Sequence, residues 1–211
     1  MVDAFREAII IKDEPLLDSL LRIKYPFIDF DRYPVRQYKI DTASLKYLEP
    51  GDIIPDSLLD LPLRFMQMSG DREIREDTTT LRELAKDRII ALDFWSQICA
   101  PCIESMQKWE DYYPEIDHAI NVVGVQISYD FHVQLDIDKR DWKRPQIFGA
   151  NAYILNHMLC QGTIVGPTAW VKGNRFLGLT LLKDNFESAV QNIMSGDYDC
   201  IPSTYLHTYS Y

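Results

Sequence analysis

The stretch LDFWSQICAPCIESM, residues 92–106, places Cys99 and Cys102 two residues apart, directly after an apolar run that ends in aromatics. Three readings are open at this point: a redox dithiol, half of a metal site, or two unrelated buried thiols. The run before the pair, RIIALDFW (88–95), is near-continuously apolar and of strand length, which predicts a strand covered on both faces. A helix is expected from about Pro101, with Ile103, Met106 and Trp109 on its inner side. INVVGVQIS (120–128) reads as a second covered strand. Strand, helix and strand at this spacing form a βαβ unit, so the two strands should run parallel.

Cys99 thus falls where a buried strand gives way to a helix. The unpaired N–H groups and the dipole at a helix N-terminus favour negative charge and stabilise a thiolate, the only form that attacks a disulfide or binds a metal. That location marks Cys99 as the nucleophile, with Cys102 one turn inward and able to close a disulfide back onto it. Pro101 suits the first turn, where its missing N–H costs nothing. Asp93 lies inside the apolar run between Leu92 and Phe94. Buried there, its carboxyl is raised by desolvation and is placed to take and return the proton that Cys102 must lose. The plainer alternative is a strand-end acid pointing to water.

Outward from this centre the pattern continues. LRFMQM (63–68) predicts a strand, and TLRELAKD (80–87) opens with a capping box of Thr80 and Glu83. AYILNHML (152–159) reads as a short helix, and TAWVKGNRFLGLTLL (168–182) as two strands about a Gly173-Asn174 turn. DNFESAVQNIM (184–194) reads as a closing helix with Asp184 and Glu187 as a second capping box. DFHVQLDIDKRDW (130–142) is two-sided: its apolar residues alternate like a strand, while its acid–base spacing suits a helix. A parallel pair joined to an antiparallel hairpin, with helices on both faces, is a mixed α/β sandwich. Residues 1–50 differ in character and read as a helical and irregular N-terminal extension before a domain at 51–211. DAFREAIII (3–11) and DEPLLDSLLRIKY (13–25) suggest short helices, the second with Asp13 as N-cap, and the aromatic stretch that follows should pack on a neighbour.

The totals bound the function. With 211 residues, 46% of them hydrophobic and 26% charged, the chain has enough apolar material for one sizeable core. A net charge of −10 argues against a nucleic-acid partner, which would want a basic face. No stretch approaches the roughly 20 apolar residues of a transmembrane segment. The start, MVDAFREAIIIKDE, is no secretory leader and reads as cytoplasmic; a leader removed ahead of Met1 would instead put the chain in the periplasm or cell envelope.

Taken together, these motifs resemble the thioredoxin superfamily, and most closely its TlpA/ResA-like thiol–disulfide oxidoreductase branch. ALDFWSQICAPC (91–102) resembles that family's strand and active-site turn, with Asp93, Phe94, Trp95, Pro101 and both cysteines in register. GDIIPDSLLDL (51–61) resembles the lead-in to the branch's extra hairpin, EDTTTLRELAKDRIIALDFW (76–95) its short helix and first central strand, and IVGPTAWVKGNRFLG (164–178) its cis-proline loop and hairpin. The likeness covers about residues 51–195. It implies a thioredoxin-like mixed sheet, a Cys99–Cys102 dithiol that exchanges disulfides with cysteine-containing protein substrates, and Asp93 as proton carrier. It further implies that Trp95, Pro101, Gly166 and Pro167 border the substrate, with Pro167 in a cis bond beside Cys99. No cofactor or metal beyond the dithiol is expected, an upstream thiol protein supplies electrons, and the location is the periplasm or envelope. Ala100-Pro101 resembles the reducing members. The departures are Ile98 where the family usually has tryptophan, Gly166 where a β-branched residue is usual, and Gln107 where many relatives have proline; Glu104 matches a common acid.

Three rivals define the alternatives. Structural zinc wants four ligands, and Cys160, Cys200 and the histidines at 118, 132, 157 and 207 offer no second closely spaced pair. A peroxidase needs a threonine ahead of its reactive cysteine, and nothing before Cys99 supplies one. A binding or chaperone module with a vestigial dithiol is the rival from another class. Cys160 and Cys200 read as free thiols by default, with a second disulfide or a redox relay as alternatives, and Cys200 as the more exposed.

Overall fold

The computed structural model describes residues 5, 7–41, 43, 45–161, 165–181, 186–196 and 200–201. In chain order the elements are β1 (Ile9–Asp13), α1 (Pro15–Lys24), β2 (Arg36–Ile40), α2 (Asp56–Leu59), β3 (Leu63–Met68), β4 (Ile74–Thr79), α3 (Leu81–Leu84), β5 (Ile89–Trp95), α4 (Ala100–Ile116), β6 (Ile120–Gln126), α5 (Phe131–Arg140), β7 (Gln146–Ile147), α6 (Ala150–Cys160), β8 (Thr168–Lys172), β9 (Arg175–Thr180) and α7 (Phe186–Ser195). Seven strands form one sheet in the order β4-β3-β7-β6-β5-β8-β9. β5 and β6 are parallel, as their βαβ spacing requires, while β8 and β9 pair antiparallel across the Gly173-Asn174 turn.

β5 is central and buried almost throughout, so its side chains sort to two apolar faces. Ile90, Leu92 and Phe94 pack with α2, α3 and α6, whereas Ala91 and Trp95 pack with α4, α5 and α7. Asp93 shares the second face by strand alternation. Its direction toward α4 is therefore set by strand parity alone. The capping box closes as its sequence predicts: Glu83 N–H donates to Thr80 Oγ1, and the Glu83 carboxylate accepts from Thr80 N–H.

The structure decides one two-sided stretch and departs from expectation elsewhere. Within residues 130–142, Phe131–Arg140 is helix: Arg140 Nε donates to Asp136 Oδ1 four residues back at 2.9 Å, and Asp141 closes the helix at φ 57°. β4 has no strand signal in the sequence because IREDTT is a polar edge strand with no apolar run, and β7 is only two residues long. In the extension, Ile9–Asp13 is a strand paired with Arg36–Ile40 rather than helix. The β-branched run favours extended backbone once a partner strand is available. The N-cap of α1 is Glu14 rather than Asp13, which instead accepts from Arg36 Nε at 2.6 Å. Asp184 of the second expected capping box lies outside the described residues.

The extension is bonded to the sheet. Ile28, Phe30, Tyr33 and Val35 join the apolar cluster under α4 and α5, with the Phe30 and Phe131 rings 5.2 Å apart. Glu76 of β4 accepts from Tyr33 Oη at 2.8 Å, Arg32 Nε at 3.1 Å and Arg64 Nε at 2.9 Å. Tyr38 Oη donates to Asp130 Oδ2 at 2.8 Å. Burial pushes the Asp130 carboxyl up to about 6, and the Tyr38 hydrogen bond works against that rise. A raised folded-state value means that stability is fully present below about 4 and lost as pH rises through about 6. Tyr38→Phe removes the donor that favours the charged form. We expect it to cost about 1–3 kcal/mol in urea unfolding, with the larger loss above pH ~6 and the smaller near pH ~4.

Candidate active site

After Trp95 the chain turns at Ser96, Gln97 and Ile98, and Cys99 N–H closes the turn onto Ser96 O at 3.0 Å. Cys99 is the N-cap of α4 in extended backbone, and its Sγ accepts from Cys102 N–H at 3.3 Å. Pro101 occupies the first turn of the helix and is exposed. Cys99 and Cys102 form a disulfide with Cα atoms 5.3 Å apart. The two sulfurs are not equivalent. Cys102 is 1% exposed, whereas Cys99 is half-buried and flanked by Ile98 at 93% exposure. A thiol partner therefore reaches Cys99 first, and on reduction its sulfur stays at the helix start, where the Cys102 N–H points at it and negative charge is favoured.

Beneath the helix lies Asp93, fully buried. Ser105 Oγ donates to its Oδ2 at 2.6 Å, and Oδ1 has no hydrogen-bond partner. Burial pushes the carboxyl up to about 7, while Ser105 and the Trp109 indole draw it back. Cys102, Ser105 and Trp109 are all buried, and their i, i+3, i+7 spacing puts them on one face of α4. Ser105 was missed from sequence. The sequence offers only a faint signal: a polar residue three positions after Cys102, in a helix row that otherwise reads Cys102, Met106, Trp109.

Trp95, expected to border the substrate, is a core residue. It is fully buried, its Nε1 donates to Gln146 Oε1 at 2.8 Å, and its ring meets Trp142 edge-on at 5.2 Å. Alternation along β5 points it inward, so it supports the turn from below. Gln146 can reach it because Gly124 on the neighbouring strand has no side chain: a Cβ there would collide with the Gln146 amide. We expect Gly124→Ala to displace that amide, strand the buried indole N–H and lower stability by about 1–3 kcal/mol in chemical denaturation.

The loop facing the dithiol also differs from expectation. No cis peptide bond occurs among the described residues, so Gly166–Pro167 is trans. The backbone bends at Gly166, whose φ of +109° is a conformation that a β-branched residue would resist. Gly166 N–H donates to Phe94 O at 2.6 Å and Phe94 N–H to Pro167 O at 3.1 Å, which fastens the loop to the end of β5. A Cβ on Gly166 would lie 3.8 Å from Cys102 Sγ. Gly166 is thus the residue against the disulfide, while Pro167 is buried.

Cys160 and Cys200 are both free, the first buried and the second exposed. Burial pushes the Cys160 thiol far up, with the Asp93 charge adding to it, so that sulfur is unreactive at neutral pH. Among the described residues no group of three or more His, Cys, Asp or Glu is placed to hold a metal ion. No helix among them is long and apolar enough to cross a membrane.

Known structures share this arrangement of elements. A thiol:disulfide interchange protein from Bacteroides sp. superposes with a TM-score of 0.50 at 15% identity, covering 71% of this chain and 93% of its own. A Xylella fastidiosa PrxQ variant does so with a TM-score of 0.50 at 15% identity, covering 71% and 97%. The chain has a thioredoxin-like fold. No family model matches the sequence, and no curated protein is similar to it. At such identities the thioredoxin-like fold is shared between a disulfide-exchange protein and a PrxQ protein, so chemistry has to be argued from the site.

Proposed function

We propose that this chain is a thiol–disulfide oxidoreductase of the TlpA/ResA-like kind, which reduces disulfides in cysteine-containing proteins. The observation that supports it best is the asymmetry of the pair: a reachable sulfur at a helix N-terminus, bonded to a buried sulfur on the helix face that carries Ser105 above Asp93. In the reduced protein the Cys99 thiolate attacks one sulfur of a substrate disulfide, and the other substrate sulfur leaves with the electron pair. Cys102 then loses its proton to Asp93 and attacks Cys99 Sγ, restoring the Cys99–Cys102 disulfide and releasing the second substrate thiol. The substrate gains two electrons and the dithiol loses two. An upstream thiol protein reduces the pair again, and no other cofactor takes part. Ile98, Pro101 and Gly166 form the surface that the substrate meets. In this reading residues 1–50 are an extension on a 51–211 domain, and the protein works in the periplasm or cell envelope.

Insulin reduction driven by dithiothreitol tests the proposal. The folded protein should accelerate precipitation of the insulin B chain over reductant alone; no acceleration would favour a binding module with an idle dithiol. Hydrogen peroxide consumption in parallel addresses the PrxQ-like chemistry that shares the fold. We expect it to stay at background, because no threonine precedes Cys99 in its turn.

A further inference from the structure

We infer that Ser105 is a positioning residue for the proton step: by holding Asp93 Oδ2, it leaves Oδ1 as the single oxygen that exchanges a proton with Cys102. The inference deepens the oxidoreductase reading and rests on it for its kinetic part. Its structural part stands on contacts alone. Asp93 is fully buried, so each carboxylate oxygen without a donor carries a desolvation cost. One oxygen is satisfied by Ser105 Oγ at 2.6 Å, and the other has no hydrogen-bond partner. Ser105 is itself buried on α4, one turn beyond Cys102, so the hydroxyl that orients the acid and the thiol that uses it share one rigid helix face.

The surroundings of Asp93 leave little else to set its proton affinity. From α4 it is faced by Ser105 and the Trp109 indole, with Cys102 buried on the same helix face. On β6 the residue in register is Gly124, and on β8 it is Thr168, a buried hydroxyl without a partner. Through the sheet, on α6, lies the Cys160 thiol, which feels the Asp93 charge. Burial is the largest influence on the carboxyl, and no cationic side chain figures among the groups acting on it. A hydroxyl donor therefore takes the role that a nearby lysine or arginine would otherwise play. In the step itself the proton moves from Cys102 Sγ to Asp93 Oδ1 while Oδ2 keeps accepting from Ser105. The new thiolate forms the bond to Cys99 Sγ, and the displaced substrate sulfur leaves as thiolate and takes a proton from water.

Two measurements on the full chain test this. Infrared titration of the Asp93 carboxyl compares the wild type with Ser105→Ala and Ser105→Thr. The midpoint should move upward by roughly one pH unit in Ser105→Ala, a tenfold change in proton affinity, and return in Ser105→Thr, which keeps the hydroxyl. In the second, thionitrobenzoate is loaded on Cys99 and its release by Cys102 is followed against pH. The pH of half-maximal rate should move with the carboxyl midpoint in Ser105→Ala and return in Ser105→Thr. Alanine is the best helix former, so the folded helix tolerates the variant. An unchanged carboxyl midpoint in folded Ser105→Ala overturns the inference, as does a rate profile that ignores a shifted midpoint. A wild-type protein that fails to reduce insulin overturns the oxidoreductase reading and leaves the infrared result to judge Ser105 by itself.

Discussion

Cys102→Ser is expected to accumulate substrate proteins covalently bound through Cys99, whereas Cys99→Ser should accumulate none and lose exchange activity by a thousandfold or more (on the order of 10³). The asymmetry follows from exposure. Cys99 caps the helix at the surface and meets the substrate disulfide, so without Cys102 the mixed disulfide has no internal thiol to resolve it. Without Cys99 the remaining sulfur is 1% exposed, covered from one side by Gly166 and from below by the core. Non-reducing electrophoresis followed by mass spectrometry of trapped adducts reads both outcomes. Equal trapping by the two variants would contradict the assigned roles.

The second large effect concerns stability and activity together. The Asp93 carboxyl is pushed from 3.8 up to about 7 by burial. Because the folded-state value is the higher one, the folded chain holds the proton more tightly than the unfolded chain. The stability associated with this group is fully present below about 4 and is lost as pH rises through about 7. At 1.36 kcal/mol per unit, charging Asp93 costs the fold up to about 4 kcal/mol by pH ~8. An asparagine at this position would mimic the neutral form while still accepting from Ser105. Asp93→Asn should therefore unfold at higher urea at pH ~8, by an amount approaching that cost, and differ little near pH ~4. The same variant cannot accept the Cys102 proton, so thionitrobenzoate release should slow by about a hundredfold at neutral pH. A stable but sluggish protein is the expected result. A variant less stable than wild type at pH ~8 would mean that the carboxylate is compensated in a way that its contacts do not reveal.

Much of this site was legible in the chain. β5 announced itself because a strand covered on both faces must be apolar at nearly every position, and the helix after it because Pro101 and the spacing of Met106 and Trp109 suit one. Asp93 was legible as the one acid in that run. Ser105 was not, because a serine on a helix is ordinary until something buried opposite needs its proton. Trp95 was misread for a related reason: its family register suggested surface, but strand parity turned it inward, onto a Gln146 amide that the missing side chain of Gly124 admits. The loop at Gly166 followed suit. A glycine at positive φ precedes a trans proline where a cis bond was expected.

Local pattern by itself determined the parallel β5–α4–β6 unit, the β8–β9 hairpin, the capping box at Thr80 and the position of Cys99 at a helix start. These depend on residues near one another in the chain, where periodicity and capping act directly. Only the tertiary structure decided that IREDTT becomes an edge strand, that β7 forms at all, that Ile9–Asp13 pairs with Arg36–Ile40, and that Ile28, Phe30, Tyr33 and Val35 are buried under α4 and α5. It also decided which carboxylate oxygen of Asp93 is left without a donor. Such outcomes belong to pairs distant in sequence, whose contacts form only once the sheet has assembled and removed water from both partners.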